Sequence, residues 1–409
     1  MNNTIKLAVA AALLAGASSA NAGIMIPAGD WTLDIGGVVN AYYTSTRQTG
    51  TPTGLALPND ALSGPSTSKT QSNITTGLLP NYLSVSGKTR QNDLDVGFTI
   101  SLNPGASTTQ SGKQSAQQEN RQAFLTFGDK SWGSIKLGKD LGIYASDAIL
   151  NDMTLLGVGS GAGGLAGNTT TLGRIGTGFM YADWKSQVAY SSPNWNGFSF
   201  TGGVTQAWNA EGNGVTSATS TSRGGASPAF EGKVSYEWAG DFGGKVWASG
   251  ISQKVRGLNA ALVTNGSERA DAFDVGATVN VAGFGLTGYY GQGNGTGTTT
   301  LLNGGFDAQG KARDSQDYYV QGTYTIPTIG TKVGVSYGES SLDQNGGIDQ
   351  IGDLTNKMWT IGAYHPITKH LNLVAEYSDV KGKIDSSSIA ANNTSGKTKT
   401  IALGAILFF

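Results

Sequence analysis

The sequence predicts an all-β protein, a transmembrane antiparallel up-and-down β-barrel of 16 strands. Three observations predict it. Segments of roughly ten residues with two-residue alternation of apolar and polar side chains recur along the chain. Their connections are by turns short and tight, then long and polar. The sequence TKTIALGAILFF (398–409) closes on two aromatic rings, where a water-soluble domain frays and would expose them.

Composition narrows the class. Of 409 residues, 62 are Gly, none is Cys and 13% are charged, a mixture that disfavours long helices and rules out disulfide staples. The opening MNNTIKLAVAAALLAGASSANA has Lys6, an apolar stretch and then Ala20-Asn21-Ala22, the pattern of a cleaved export signal. Residues 1–22 are therefore read as a signal peptide and 23–409 as the barrel domain. The apolar stretch falls short of the ~20 residues of a membrane-spanning helix. Net charge is −1, or −2 once Lys6 is removed, which argues against a nucleic-acid partner.

The elements follow in order. In WTLDIGGVVNAYY (31–43), Trp31, Leu33, Ile35, Val39 and Tyr43 share one face and Thr32, Asp34 and Asn40 the other. Further strands are expected near Asn81, Asp93, Asn120, Ser134, Lys185, Phe198, Phe230 and Lys245. The last seven are expected near Ala272, Phe284, Asp317, Thr331, Lys357, Leu371 and Lys397. The short links RQND, GDKSWG, PNWNG, AGDFGG, VAG, PTIG and ITKH are turn chemistry, and between them stand long Ser/Thr/Gly/Asn-rich links such as 44–80 and 208–229.

This alternation places long loops at one end of a meander and tight turns at the other, and sixteen strands leave an aqueous lumen when such a sheet closes. In lipid each backbone polar group needs an internal partner, so the last strand must pair with the first. Along it Ile401, Leu403, Leu407 and Phe409 share a face. Charges within strands avoid that oily parity: Asp34, Lys136, Lys233, Glu237, Lys245, Asp274, Lys332 and Glu376 all fall on the opposite face. Lys399 shares the apolar parity but lies at the loop end, within reach of head groups. In RQAFLTFG the parity is ambiguous, because Phe124 and Phe127 fall on opposite faces.

Three motifs invite a catalytic or ligand-binding reading. GVSYG (334–338) fits G-x-S-x-G, yet Ser336 sits mid-strand without the strand-to-helix bend a nucleophile elbow needs. GSGAGG (159–164) formally fits a nucleotide-binding loop, but no strand leads into it directly and no amphipathic helix follows. His365 and His370 flank a turn and offer too few ligands for a metal. No catalytic residue, cofactor or metal site is expected.

NRQAFLTFGDKSWGSIKLGKD (120–140), VAYSSPNWNGFSF (188–200) and the final Phe409 together resemble the general Gram-negative porins, in which R-Q-A-F…G…G-x-x-x-L-G-[RK] recurs. The resemblance implies homotrimeric barrels in the outer membrane, with long extracellular loops and short periplasmic turns. It also implies passive diffusion of small hydrophilic solutes and ions, with a third loop, here about 141–181, folded into each lumen. Its acidic side would be Asp147 and Asp152, faced by Arg121, which matches the family's strand-4 arginine, and by Lys136, Lys139 and Arg174. Such opposed charge orients water and screens solutes. Where enterobacterial relatives carry further arginines this chain has Tyr82 and Ser191, and Leu156 stands near the place of a second carboxylate, so a less charged constriction is expected.

Two other classes compete. A solute-specific channel would show an aromatic ladder or a dense arginine track along the lumen. A surface adhesin would share the Gly, Thr and Asn richness without the apolar face and the closing Phe.

Overall fold

The computed structural model describes residues 23–50, 69–107, 118–164, 169–210, 227–256, 258, 267–307, 309–346, 352–385 and 394–409. The expected signal peptide lies outside them. The strands begin with β1 (Ile24–Ala28), β2 (Trp31–Gly50), β3 (Thr70–Thr75), β4 (Tyr82–Gln91), β5 (Leu94–Leu102), β6 (Ala123–Asp129) and β7 (Gly133–Leu141). Between β7 and the next wall strand come helix α1 (Ser146–Asn151), a 3₁₀ turn (Met153–Leu156) and the small ribbon β8 (Ser160–Gly164) with β9 (Thr171–Gly173). The wall resumes with β10 (Trp184–Ser191), β11 (Phe198–Thr205), β12 (Ala229–Trp238), β13 (Phe242–Arg256), β14 (Ser267–Val281) and β15 (Phe284–Asn294). It finishes with β16 (Asp314–Thr325), β17 (Lys332–Leu342), β18 (Asp353–Pro366), β19 (Leu371–Asp385) and β20 (Thr394–Phe408).

Each wall strand pairs antiparallel with its neighbours, and β2 closes the cylinder on β20 from Val38 opposite Phe408 to Gly50 opposite Gly396. The result is a closed 16-stranded barrel. All 16 expected strands are present, each starting within five residues of its expected position. Two wall pieces are additional. β1 pairs with Trp31–Ile35 beside the place where β20 stops, so β1 and β20 together cover one edge of β2. β3 covers Tyr42–Arg47 on the other edge while β4 covers Thr32–Val38. Neither shows in the sequence, because IMIPA is too short to display a period and TQSNIT has no apolar face.

Alternation sorts the side chains as expected. Val39, Leu286, Val335 and Ile401 stand 50–60% exposed on the outside, whereas Asn40, Thr360, Ser378 and Thr400 are buried inside. Six of the eight strand charges read as inward line the lumen, and the other two, Asp274 and Glu376, are buried beneath the segment it encloses. The ambiguous pair resolves as well: Phe124 lines the lumen beneath the Lys136 ammonium, 4.8 Å from its ring, while Phe127 shares the outward parity of Leu125. Outside, aromatic rings cluster at the turn end, Trp195 with Phe198, Tyr236 with Trp238 and Phe284 with Tyr324. A second set, Tyr318 with Tyr337 and Trp359 with Tyr377, lies toward the loop end. Such girdles mark the two membrane–water boundaries. Among the described residues no helix is long and apolar enough to cross a membrane.

Candidate functional site

Residues 142–183, between β7 and β10, are tied to inward-facing side chains on distant parts of the wall. At one end the Glu231 carboxylate of β12 accepts the backbone N–H groups of Ile143 and Tyr144 at 2.8 and 2.9 Å. Its other oxygen accepts from Lys185 Nζ and Thr205 Oγ1. At the other end Glu376 of β19 accepts from Val158 N and Gly159 N at 2.7 and 2.8 Å and from the Tyr364 hydroxyl at 2.6 Å. Between these clamps Tyr319 donates to Ala148 O, and the Gln321 amide bridges Met153 N and Asn151 O. Each bond satisfies a backbone group that the irregular segment would otherwise bury unpaired. Gly157 permits the second clamp, since a Cβ there would come 2.2 Å from a Glu376 oxygen.

The short helix α1 carries Asp147, almost wholly buried, against two lysines of the wall. Lys233 Nζ lies 2.9 Å and Lys245 Nζ 2.7 Å from its carboxylate oxygens, and Lys245 also reaches Glu237 at 3.0 Å. Burial opposes ionisation of Asp147, but the two ammonium groups more than offset it and hold the carboxyl below its ordinary value of 3.8. Below the segment opens a cavity of about 1720 Å³ lined by Leu150, Met153 and Leu156 on one side and by wall residues including Asp34, Lys136 and Lys332.

The six charges singled out from the sequence take different places. Asp147 is paired with Lys233 and Lys245, neither of them among the four basic residues singled out from the sequence. Lys136 lines the cavity and is ion-paired to Asp140 on its own strand. Asp152 turns inward on the segment, accepting from Thr154 N at 3.0 Å and from the backbone of Arg174, and burial raises its pKa despite the Arg174 charge. Three basic residues lie off the cavity. Arg174 is fully buried against the wall, donating to Thr177 O and Met358 O with its guanidinium over the Tyr319 ring. Gly338 makes room for it, because a Cβ there would lie 2.8 Å from Arg174 Nη1. Arg121 is drawn to Glu119 at 2.8 Å and Thr169 at 3.2 Å beside Trp184. Lys139 stands opposite Ala123 and Ser186, both exposed on the outside, and donates to Asn120 O.

Lys233 and Lys245 carried a signal, since their parity alone puts them in the lumen; which lumen charge meets Asp147 depends on the path of the segment. Tyr82 and Ser191 line the cavity from the wall and Leu156 from the segment side. Ser336 lies mid-strand in β17, and His365 bonds Thr331 Oγ1 at the turn end. Among the described residues no three metal-ligating side chains group together.

The fold is shared with solved outer-membrane proteins. The channel DcaP of Acinetobacter baumannii superposes with a TM-score of 0.66 at 17% identity over 95% of this chain and 100% of that one. An anion-selective porin from Comamonas acidovorans gives 0.60 at 15% identity over 93% and 100%. OmpF of Salmonella typhi in complex with daunomycin gives 0.59 at 19% identity over 94% and 100%. The chain matches no curated protein. Residues 8–385 match the family described as Gram-negative porin. That match over most of the chain, on a closed barrel with a charged aqueous interior, makes the protein a member of the Gram-negative porin family, an outer-membrane channel for passive diffusion of solutes.

Proposed function

We propose that this channel passes small hydrophilic solutes and ions through a lumen whose bore is set by residues 142–183, with weak preference between anions and cations and with no catalytic step. The observation that carries the reading is the pairing of lumen charges. Asp147 and Glu237 together balance Lys233 and Lys245, and Asp140 balances Lys136, so little net field is left to select by sign. The leucine and methionine side chains of the segment narrow the passage without adding charge.

The assembly is read as a homotrimer whose subunits meet through β2 and β4–β6. There the outward residues Leu83, Ile100, Leu102 and Leu125 are aliphatic and one aromatic pair, Trp31 with Phe98, stands at the turn end, whereas β11–β16 carry several such pairs. Export is read as depending on cleavage between Ala22 and Gly23. Planar-bilayer recording of the purified protein tests the reading. Stepwise insertions in threes, with a reversal potential near zero under a KCl gradient, are expected. Silence, or saturation by a single solute at low concentration, would sink it.

A further inference from the structure

Among the described residues Arg174 is, with Arg313, the bulkiest side chain wholly shielded from solvent. It reaches from residues 142–183 to the wall and lies on the bare backbone of Gly338, between Tyr319 and Met358, the partners of Gly338 on β16 and β18. Nη1 donates to Thr177 O at 3.3 Å and to Met358 O at 3.0 Å, and the guanidinium carbon stands 5.9 Å from the centre of the Tyr319 ring. The other edge, Nε–H beside Nη2–H, is the fork with which an arginine grips an anion side-on. Both of its nitrogens are buried, and neither has a hydrogen-bond partner among the described residues. Ser336, the next inward residue of β17 on the turn side of Gly338, likewise buries its hydroxyl oxygen without a partner.

The charges around Arg174 do not supply the missing acceptor. Asp152 and Glu376 act on it through space, but each is turned to donors of its own. Asp152 accepts from the backbone and hydroxyl of Thr154 and from the backbone N–H of Arg174. Glu376 accepts from Val158 N, Gly159 N and the Tyr364 hydroxyl. The same two carboxylates also act on a second cation, Lys332, whose ammonium stands 5.1 Å from the centre of the Tyr364 ring. A buried guanidinium with two idle donors and no carboxylate in contact is costly on both counts.

We propose that the Nε/Nη2 fork of Arg174 binds a small monovalent inorganic anion, chloride in ordinary salt, which fixes residues 174–178 to the wall. A water molecule would accept the two N–H groups but leave the charge uncompensated, whereas an anion answers both needs. Thr177, Tyr319 and Met358, all buried around the guanidinium, limit the ligand to a few atoms. The site lies behind the segment and off the passage, apart from the lumen charges that meet permeating ions.

Bromide, which scatters anomalously, serves as the probe. Wild-type crystals grown in sodium bromide should show an anomalous peak at hydrogen-bond distance from both Nε and Nη2. In detergent, replacing sodium gluconate by sodium bromide at constant ionic strength should raise the unfolding midpoint saturably. For a chain of this length the rise should reach about 3 °C at a hundredfold excess over the dissociation constant. R174M should abolish the peak and the rise, while K369Q, on a short turn, should keep both. Lack of the peak in wild-type crystals overturns the proposal. A peak with no halide effect on the midpoint marks an adventitious ion only and overturns it as well, as does an equal halide effect in R174M. If R174M does not fold, the wild-type peak and midpoint decide together.

Discussion

Asp147 shows how a single carboxylate can be both buried and ionised. Its desolvation is offset by Lys233 and Lys245, so removing either side of the cluster leaves the other as an uncompensated charge. In D147N Lys233 loses its counterion and Lys245 keeps only Glu237, both beside the aqueous path. A unit charge at about 4 Å in water is worth about 1 kcal/mol, so the anion-to-cation permeability ratio should rise roughly fivefold, read from the reversal potential in a KCl gradient. An unchanged ratio would show that permeating ions do not sense the cluster. The pH dependence follows from the sign of the shift. Because the folded state lowers the pKa of Asp147, the stabilisation from its ionised form is complete above the ordinary value of 3.8 and is lost only as pH falls through the lower folded value. Open-channel current should therefore stay quiet as pH is brought down to about 4. In K233M/K245M only burial remains, the pKa moves up, and current noise should set in at a higher pH than in the wild type.

At the scale of elements, residues 142–183 are held by two carboxylates that each accept a consecutive pair of backbone N–H groups. E376A leaves the N–H groups of Val158 and Gly159 without their acceptor, at about 1–3 kcal/mol for each donor left unpaired. The far end of the segment should then detach, giving larger and noisier single-channel conductance, whereas E376Q keeps one acceptor oxygen and should fall between. G157A should resemble E376A, because its Cβ occupies the space of the carboxylate. Quiet wild-type conductance in both variants would show that the clamp is dispensable.

The same elements explain what the sequence could reveal. Each wall strand separates lipid from water, so its side chains alternate and sixteen strands can be read from WTLDIGGVVNAYY onward. Inside the lumen that contrast disappears. α1 touches the wall on one side and the cavity on the other over six residues, and β9 is buried throughout its three, which leaves no period to detect. Parity likewise marked Lys233 and Lys245 as inward, but a side chain's partner across the lumen is a property of the folded path. Arg174 was misplaced for that reason: its guanidinium finds two carbonyls and an aromatic face against the wall instead of facing the passage.

At the scale of the whole molecule, stability depends on an oily exterior and a closed edge. L403R puts a cation on the lipid face, at a position 52% exposed, and should lower unfolding stability in lipid vesicles by about 2–4 kcal/mol if it lies near the midplane. S84R, on the lumen side, should cost far less, since Ser84 already lines the aqueous cavity. Closure makes the more demanding prediction. The edge of β2 is covered in two pieces, Val38–Gly50 by β20 and Trp31–Ile35 by β1, joined where Gly37 and Phe409 exchange backbone hydrogen bonds of 2.8 and 3.0 Å. Removing Ile24–Ala28 uncovers five residues of β2 at the turn-side rim, where water can replace some of the lost partners. Removing Phe408 and Phe409 instead opens the junction between the two pieces, next to Val38, and uncovers backbone closer to hydrocarbon, where no solvent can replace the lost bonds. The second deletion should therefore impair barrel assembly much more than the first, measured as the folded fraction by heat-shifted gel mobility after refolding into vesicles. Equal yields from the two deletions would mean that the seam is held by the rest of β20 alone.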